Sequence, residues 1–287
     1  MLSTQNELKQ IVKDCGRFSA YEISRTSSQD RAVFATPVEA QNSESLRVRN
    51  NTLRISEIMK AINVWKKLAP HNEGQQKIDI LELGLGYADV AISASRLHKG
   101  NVTGIEHPNR GFFFAPEYII DLRRNNVKAV AANLLNHNLP FADNSYDLCL
   151  FCEVIEHLPP TIVPQTLAEI ARVTKPGGGV IIATPNLASL VNRLVFLSGA
   201  TIFSPSIPLD YAGGTYGHIR LYSPDEVNVL AQTVGLKLYR IWYCNSMLHS
   251  GEERFAVKLL KYTQQLLSIP IHSLANSWTG LFTKSTI

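Results

Sequence analysis

The sequence is short of cysteine, of charge imbalance and of long apolar runs, and each shortage removes a class of protein. Four cysteines in 287 residues (Cys15, Cys149, Cys152 and Cys244) do not make a disulfide framework at this length. Cys149 and Cys152 spell C-x-x-C inside the apolar run YDLCLFC, where residues three apart in a strand face opposite sides. They read as buried thiols rather than as a zinc or redox pair. A net charge of +4 is too mild to argue for nucleic acid. No stretch approaches about 18 uninterrupted apolar residues, so no transmembrane segment is expected. The opening MLSTQNELKQ lacks the apolar core of a secretory signal. Repeats and low-complexity tracts are missing as well. What remains is an expectation of a soluble, cytoplasmic protein, long enough for one large domain with appendages.

Two regimes divide the chain. Residues 1–75 show no strand-like alternation, and TLRISEIMKAINVWKKLA (52–69) places Leu53, Ile55, Ile58, Met59, Ile62, Trp65 and Leu68 at helical spacing. The Ser-, Gln- and Thr-rich stretch 19–45 reads as a mobile loop or a lid. Pro70 and HNEGQQ end the helix and form a linker. From residue 76 to 287, short apolar strands alternate with helices: KIDILEL, NVTGIE, VKAVAANL, SYDLCLFC and GVIIATP, then LKLYRIWY and SWTGLFTK. This rhythm predicts an α/β fold, a doubly wound, mostly parallel seven-stranded sheet carrying an N-terminal helical extension. A helix is expected at SPDEVNVLAQTVG, capped by Ser223 with Pro224 at its first position. In such sheets ligands bind beyond the carboxyl ends of the strands.

The segment ILELGLGYADVA (80–91) starts like a dinucleotide fingerprint but lacks the third glycine, with Asp89 standing in its place. Gly84 and Gly86 allow a sharp turn and a close backbone approach. Glu106 closes the next strand twenty residues after Gly86, where a carboxylate can accept from ribose hydroxyls. A pyrophosphate on this helix N-terminus would be repelled by Asp89. A phosphate-free, cationic nucleoside is compatible with it. Helix-end capping is the plainer role for Asp89 itself.

With these motifs in order, residues 77–243 resemble the class I S-adenosylmethionine-dependent methyltransferases. LELGLGYA looks like the loop that cradles the methionine moiety, which would carry over to Glu82, Gly84, Gly86 and Ala88, the last an alanine where the family keeps a glycine. VTGIE resembles the ribose motif, with Glu106 as its acid. AANLLNHNLPFADNSYDL resembles the adenine stretch, with Asn133, beside Leu134, where the family has an aspartate. An amide oxygen can still accept from the adenine amine. Glu153, at the end of the fourth strand, is assigned to the same pocket. The resemblance implies S-adenosylmethionine as cofactor, with S-adenosylhomocysteine as product.

FCEVIEHLPP (151–160) carries the most reactive set, with Glu153, Glu156 and His157 at i, i+3 and i+4, expected on one face of a helical turn. Three roles fit. His157 suits a general base, which methyl transfer to oxygen or nitrogen needs. Glu153, Glu156 and His157, joined by His218 of GTYGHIRLYSPDE, could hold a divalent metal, as the E-x-x-E-H sets of the small-RNA 2′-O-methyltransferases and of quinone-biosynthesis O-methyltransferases do by resemblance. The third role is structural, with the charges capping the turn and lining a wall. A metal is not the expectation.

The acceptor site is expected from the N-terminal helices and from residues 187–222, rich in Leu, Ile, Phe and Tyr and poor in charge. An apolar wall suits a small, fairly apolar acceptor better than a polyanion; the same residues would equally pack a subdomain or a homodimer contact. Phe112, Phe113 and Phe114 flank the adenine or fill the core. Residues 244–275 read as a C-terminal helical insertion whose basic, amphipathic helix from Arg254 docks on the sheet or rests on a membrane surface. The expected activity is methyl transfer to a small molecule at oxygen. Its rivals are a metal-dependent RNA 2′-O-methyltransferase and a non-methylating cyclase, lyase or regulatory module on the same fold.

Overall fold

A computed structural model describes residues 2–16, 37–69 and 77–202 apart from 109, 111, 112 and 137, and then 207–208, 215–216, 218–245 and 255–285. Seven strands form one sheet: β1 (Asp79–Leu83), β2 (Asn101–Glu106), β3 (Val127–Ala131), β4 (Tyr146–Cys152), β5 (Thr174–Pro185), β8 (Leu236–Cys244) and β9 (Ser277–Lys284), in the order β3-β2-β1-β4-β5-β9-β8. β1 to β5 run parallel, and β9 alone is reversed, lying antiparallel to both β5 and β8. β6 (Ile207–Pro208) and β7 (Thr215–Tyr216) make a separate short ribbon.

The helices are α1 (Leu2–Gly16), α2 (Pro37–Leu68), α3 (Asp89–His98), α4 (Pro116–Arg124), α5 (Val163–Val173), α6 (Leu190–Leu197), α7 (Pro224–Gln232) and α8 (Phe255–Leu267). They cover the sheet from both faces. Leu148, Leu150 and Cys152 of β4 join the cluster with Leu8, Ile58 and Trp65, whereas Cys149 and Phe151 join Leu167, Ile170 and Val227 on the other side. Strict alternation along a strand buried on both faces explains the unbroken apolar run YDLCLFC. Each of these fully buried aliphatic side chains contributes on the order of 1.5–3 kcal/mol. It also separates the C-x-x-C pair onto opposite faces, as the sequence implied. The capping box at Ser223 is present too, with Glu226 closing it.

Four elements differ from their sequence reading, among them β5, which starts at Thr174 and takes in the KPGG stretch ahead of GVIIATP. α2 begins at Pro37, well before residue 52. Its first half, PVEAQNSESLRVRN, is mostly polar, with Val38, Ala40, Leu46 and Val48 too sparse to mark a helical period. The expected loop or lid at 19–45 therefore ends in helix, and residues 17–36 of it, like the linker 71–76, lie outside the described residues. α1 was unassigned, although Leu8, Ile11, Val12 and Cys15 are buried at helical spacing. β3 stops at Ala131 rather than at residue 134, because the Asn133 side chain accepts the Leu135 N–H at 2.9 Å and turns the chain into a short 3-10 helix, Leu134–Asn136.

Candidate functional site

The carboxyl ends of β1, β2, β4 and β5 bring the candidate residues to one edge. After β1 the chain turns through Gly84 (φ +82°), Gly86 (φ +50°) and Ala88 (φ +64°). The Gly84 and Leu85 N–H groups donate to the Ile105 carbonyl, each at 2.9 Å. The Gly86 N–H donates to Glu106 Oε2 at 2.7 Å, and Tyr118 Oη donates to the Gly86 carbonyl at 2.9 Å. A Cβ on Gly84 would come within 2.5 Å of Val154 Cγ2, so this turn is packed against the loop that follows β4. Ala88 holds the left-handed conformation that alanine tolerates poorly, at about 1–2 kcal/mol. It also occupies the cap position of α3, so Asp89 is not the cap expected of it. Asp89 is the first residue inside the helix, and its Oδ1 accepts the Val90 N–H at 3.0 Å. Its charge sits on the favourable end of the helix dipole.

Carboxylates dominate around the turn. Asp89 and Glu106 act on Glu82 there, and Asp89 and Glu153 act on Arg54. Arg54 Nη1 lies 2.8 Å from Glu153 Oε2. Burial alone would depress the guanidinium, but Glu153 and Asp89 offset this and hold it above its ordinary value. Arg54 escaped the sequence reading because it stands among the apolar positions of TLRISEI. A buried arginine there was a usable signal. Glu82 is 2% exposed with Oε2 unpartnered; burial first, then Asp89 and Glu106, push its carboxyl well above 4.5.

That shift has a measurable consequence. The neutral Glu82 carboxyl stabilises the fold fully below its ordinary value near 4.5. The stability is lost as pH rises through the raised folded value. Glu82→Gln keeps the neutral shape at every pH. The wild-type melting temperature should fall as pH rises above the ordinary carboxylate value near 4.5, and the variant should fall less. Parallel curves for the two proteins would contradict the assignment.

Glu106 is nearly buried; besides the Gly86 N–H, it accepts its neighbour His107 N–H at 2.7 Å through Oε1. Asn133 and Leu134 lie half-buried past the end of β3, where one lone pair of the Asn133 amide oxygen is taken by the Leu135 N–H. A second lone pair remains on that oxygen. Phe113 is buried in the core and meets Tyr118, while Phe114 is largely exposed; Phe112 lies outside the described residues.

Beyond β4 the geometry departs from the expected helical face. Glu153 takes a left-handed backbone (φ +57°), and only Ile155–His157 form a 3-10 turn. Glu153 pairs with Arg54 and is not among the groups whose ligand atoms converge with Glu156 and His157. Glu156 and His157 meet His218 instead: one ligand atom from each lies within 4.8 Å of the others. The two imidazoles pack edge to face with centroids 5.1 Å apart. The 218–220 segment is held here because the Ile219 and Arg220 N–H groups both donate to the Glu156 carbonyl. Glu156 is fully buried. Thr184 Oγ1 donates to its Oε2 at 2.9 Å, whereas Oε1 has no partner and lies 4.0 Å from Nε2 of each histidine. Burial, then the Glu153 charge, push Glu156 up to about 8. Burial, then His157, bring His218 down to about 4. Of the three, His157 has the most exposed side chain, at 40%. A carboxyl and two imidazoles in this arrangement can relay a proton or hold a divalent cation.

Residues 80–178 match the family described as a methyltransferase domain. A demethylmenaquinone methyltransferase from Halalkalibacterium halodurans is 31% identical over 125 residues, 43% of this chain and 45% of that protein. An uncharacterized methyltransferase from Mycobacterium tuberculosis is 51% identical over 45 residues, covering 16% of this chain and 17% of its own. The matches thus span less than half the length of these curated relatives. Among solved structures, a SAM-dependent methyltransferase from Methanosarcina mazei superposes with a TM-score of 0.52 at 13% identity, over 74% of this chain and 95% of that one. One from Archaeoglobus fulgidus does so at 0.50 and 12% identity, over 80% and 94%. These two establish the fold, the Rossmann-like arrangement expected from the sequence.

Proposed function

We propose that this chain, which carries a methyltransferase domain of the S-adenosylmethionine-dependent class, binds S-adenosylmethionine and transfers its methyl group to a small, fairly apolar acceptor at oxygen. The observation that carries the reading is the charge around the glycine turn. Asp89, Glu106 and Glu153 gather there with Arg54 as their counter-charge, and the buried Glu82 carboxyl beside them, neutral without a ligand, is placed to ionise against a cationic one. Such a rim suits a ligand bearing a sulfonium and an ammonium and disfavours one bearing phosphates.

Each residue then has a place. The 84–88 loop and Glu82 would hold the methionine part, Glu106 the ribose hydroxyls, and Asn133 with Leu134 the adenine. When bound, the cofactor supplies an electrophilic methyl carbon. His157, at the end of β4 and open to solvent, accepts the acceptor hydroxyl proton as the new O–C bond forms and the C–S bond breaks, and passes it to water. Glu156, neutral below about pH 8, stands behind the histidines without competing for that proton. The half-buried and exposed apolar side chains of α6, with Leu221, provide an apolar wall at the same edge. Cysteines that form no disulfide agree with a cytoplasmic setting.

The test is transfer of a labelled methyl group from S-adenosylmethionine into a cell extract. The reading expects label in organic-soluble small molecules. Tight cofactor binding with no transfer to any acceptor would favour the non-methylating alternative.

A second reading rests on the unpartnered Glu156 Oε1. Glu156, His157 and His218 fit a borderline divalent ion, which would polarise an acceptor hydroxyl. In that case prolonged chelation lowers turnover at least about tenfold and added metal restores it. Unchanged turnover after chelation leaves His157 acting as a base without metal.

A further inference from the structure

Among the described side chains of α8, the buried one is polar: Gln264 accepts the Val191 N–H at 3.0 Å and donates to Asn245 Oδ1 at 3.0 Å. Asn245 Nδ2 in turn donates to buried Ser268 just beyond the helix at 2.7 Å. The side that faces solvent is apolar, with Leu259, Tyr262 and Leu266 recurring at i, i+3 and i+7. Ile269 and Ile271 continue it after the helix, and Leu194, Phe196 and Leu197 add to it from α6, which α8 contacts through the Gln264 bond. Most of the exposed large apolar side chains among the described residues fall in these two segments. A surface helix that buries Gln264 and shows Leu259, Tyr262 and Leu266 to water presents an apolar patch that bulk solvent does not favour.

The charges name the occupant. Residues 187–209 and 255–287 contain no aspartate or glutamate, whereas Arg193 lies on α6 and Lys258 and Lys261 lie on α8. A second copy set against this face by a two-fold axis would bring cation against cation. A partner combining an apolar layer with negative charge satisfies both features. We infer that α6 and α8 form a docking surface for an anionic lipid bilayer, the exposed apolar side chains entering the headgroup boundary and the positive charge of the two segments drawing them to anionic lipid. No described helix is long and apolar enough to cross a membrane, so the contact is peripheral.

The location gives this surface a purpose. α6 leaves the sheet directly after β5, and α8 leads into β9 opposite the end of β5, where Pro185 pairs with Ser277. Both therefore rise from the edge that holds Glu156, His157 and His218. A bilayer bound there lies beside the acceptor side of the site. If the proposed methyl transfer holds, the acceptor is an amphiphile resident in that membrane; the docking itself does not depend on it.

Flotation of the full-length protein with lipid vesicles tests the surface without any cofactor. The protein should float with phosphatidylcholine vesicles containing phosphatidylglycerol, float less with phosphatidylcholine alone, and lose binding as salt rises. A triple variant, Leu197→Glu, Leu266→Glu and Ile269→Glu, changes side chains that are 82%, 67% and 68% exposed, so its melting temperature should match wild type. Its partition into anionic vesicles should be at least about tenfold weaker. Wild type that stays with the unbound fraction, or a triple variant that floats equally well, overturns the inference. So does a wild-type dimer that the triple variant splits into monomers while neither protein floats, which would make the face a self-association contact.

Discussion

His157→Ala is expected to lower the rate of methyl transfer by about 10²–10⁴-fold while leaving S-adenosylhomocysteine affinity within about twofold. The three groups of the cluster are not equivalent candidates for the base. His218 is brought down to about 4, which leaves it neutral but weakly basic at physiological pH. Glu156 is fully buried and pushed up to about 8, so it is protonated there and shut off from an acceptor. His157 is the more exposed of the two imidazoles, 40% against 33% for His218. Removing it leaves cofactor binding intact because the glycine turn, Glu106 and Asn133 lie on other loops. His157→Gln separates chemistry from packing: it restores bulk and hydrogen bonding but cannot take up the proton, and should stay as slow as the alanine variant. Turnover of His157→Ala within about threefold of wild type would remove the base from the account.

Gly84→Ala should weaken cofactor binding by at least about a hundredfold and slow transfer as well. At φ +82° an L-residue is strained, and the added Cβ sits 2.5 Å from Val154 Cγ2. Val154 lies between Glu153 and the 155–157 turn. Relief of the clash therefore moves the cofactor turn, the Arg54–Glu153 pair or the turn that carries His157. The opposite substitution four residues later serves as the control. Ala88 is already left-handed, so Ala88→Gly removes strain at the loss of one buried methyl group, and cofactor affinity should be equal or better, with stability changed by no more than about 1 kcal/mol. Calorimetric titration of both variants with S-adenosylhomocysteine checks the pair. Normal binding by Gly84→Ala would mean that the turn is not shaped as described.

The sheet was legible because each of its strands carries a compact apolar run and each parallel crossover a helical one. α2 was legible only in its apolar half, since a polar helix leaves no periodic trace. At the site, the glycine turn and Glu106 were readable from spacing, for their distance along the chain is set by one β–α–β unit. The grouping beyond β4 was not. E-x-x-E-H invites a helical reading, but the left-handed backbone at Glu153 sends that side chain to Arg54, a residue about a hundred positions earlier. Likewise His218 joined this set only by resemblance of motifs; what holds its segment there is the Glu156 carbonyl, which accepts the Ile219 and Arg220 N–H groups. Backbone exceptions and long-range hydrogen bonds have no periodicity, so no local pattern records them. α8 shows a further limit: its amphipathic period was plain, but which face points inward depended on where Asn245 and Val191 lie.

The central claim is that the carboxylate-rimmed turn binds a cationic, phosphate-free nucleoside. Titrating the full-length protein with S-adenosylmethionine, and in parallel with ATP and NAD, tests it directly. The account predicts saturable one-site binding of S-adenosylmethionine in the micromolar range or tighter, about −8 kcal/mol or better, and no detectable heat from either phosphate ligand. No binding of S-adenosylmethionine or S-adenosylhomocysteine, or binding of ATP or NAD at the same site, would contradict it.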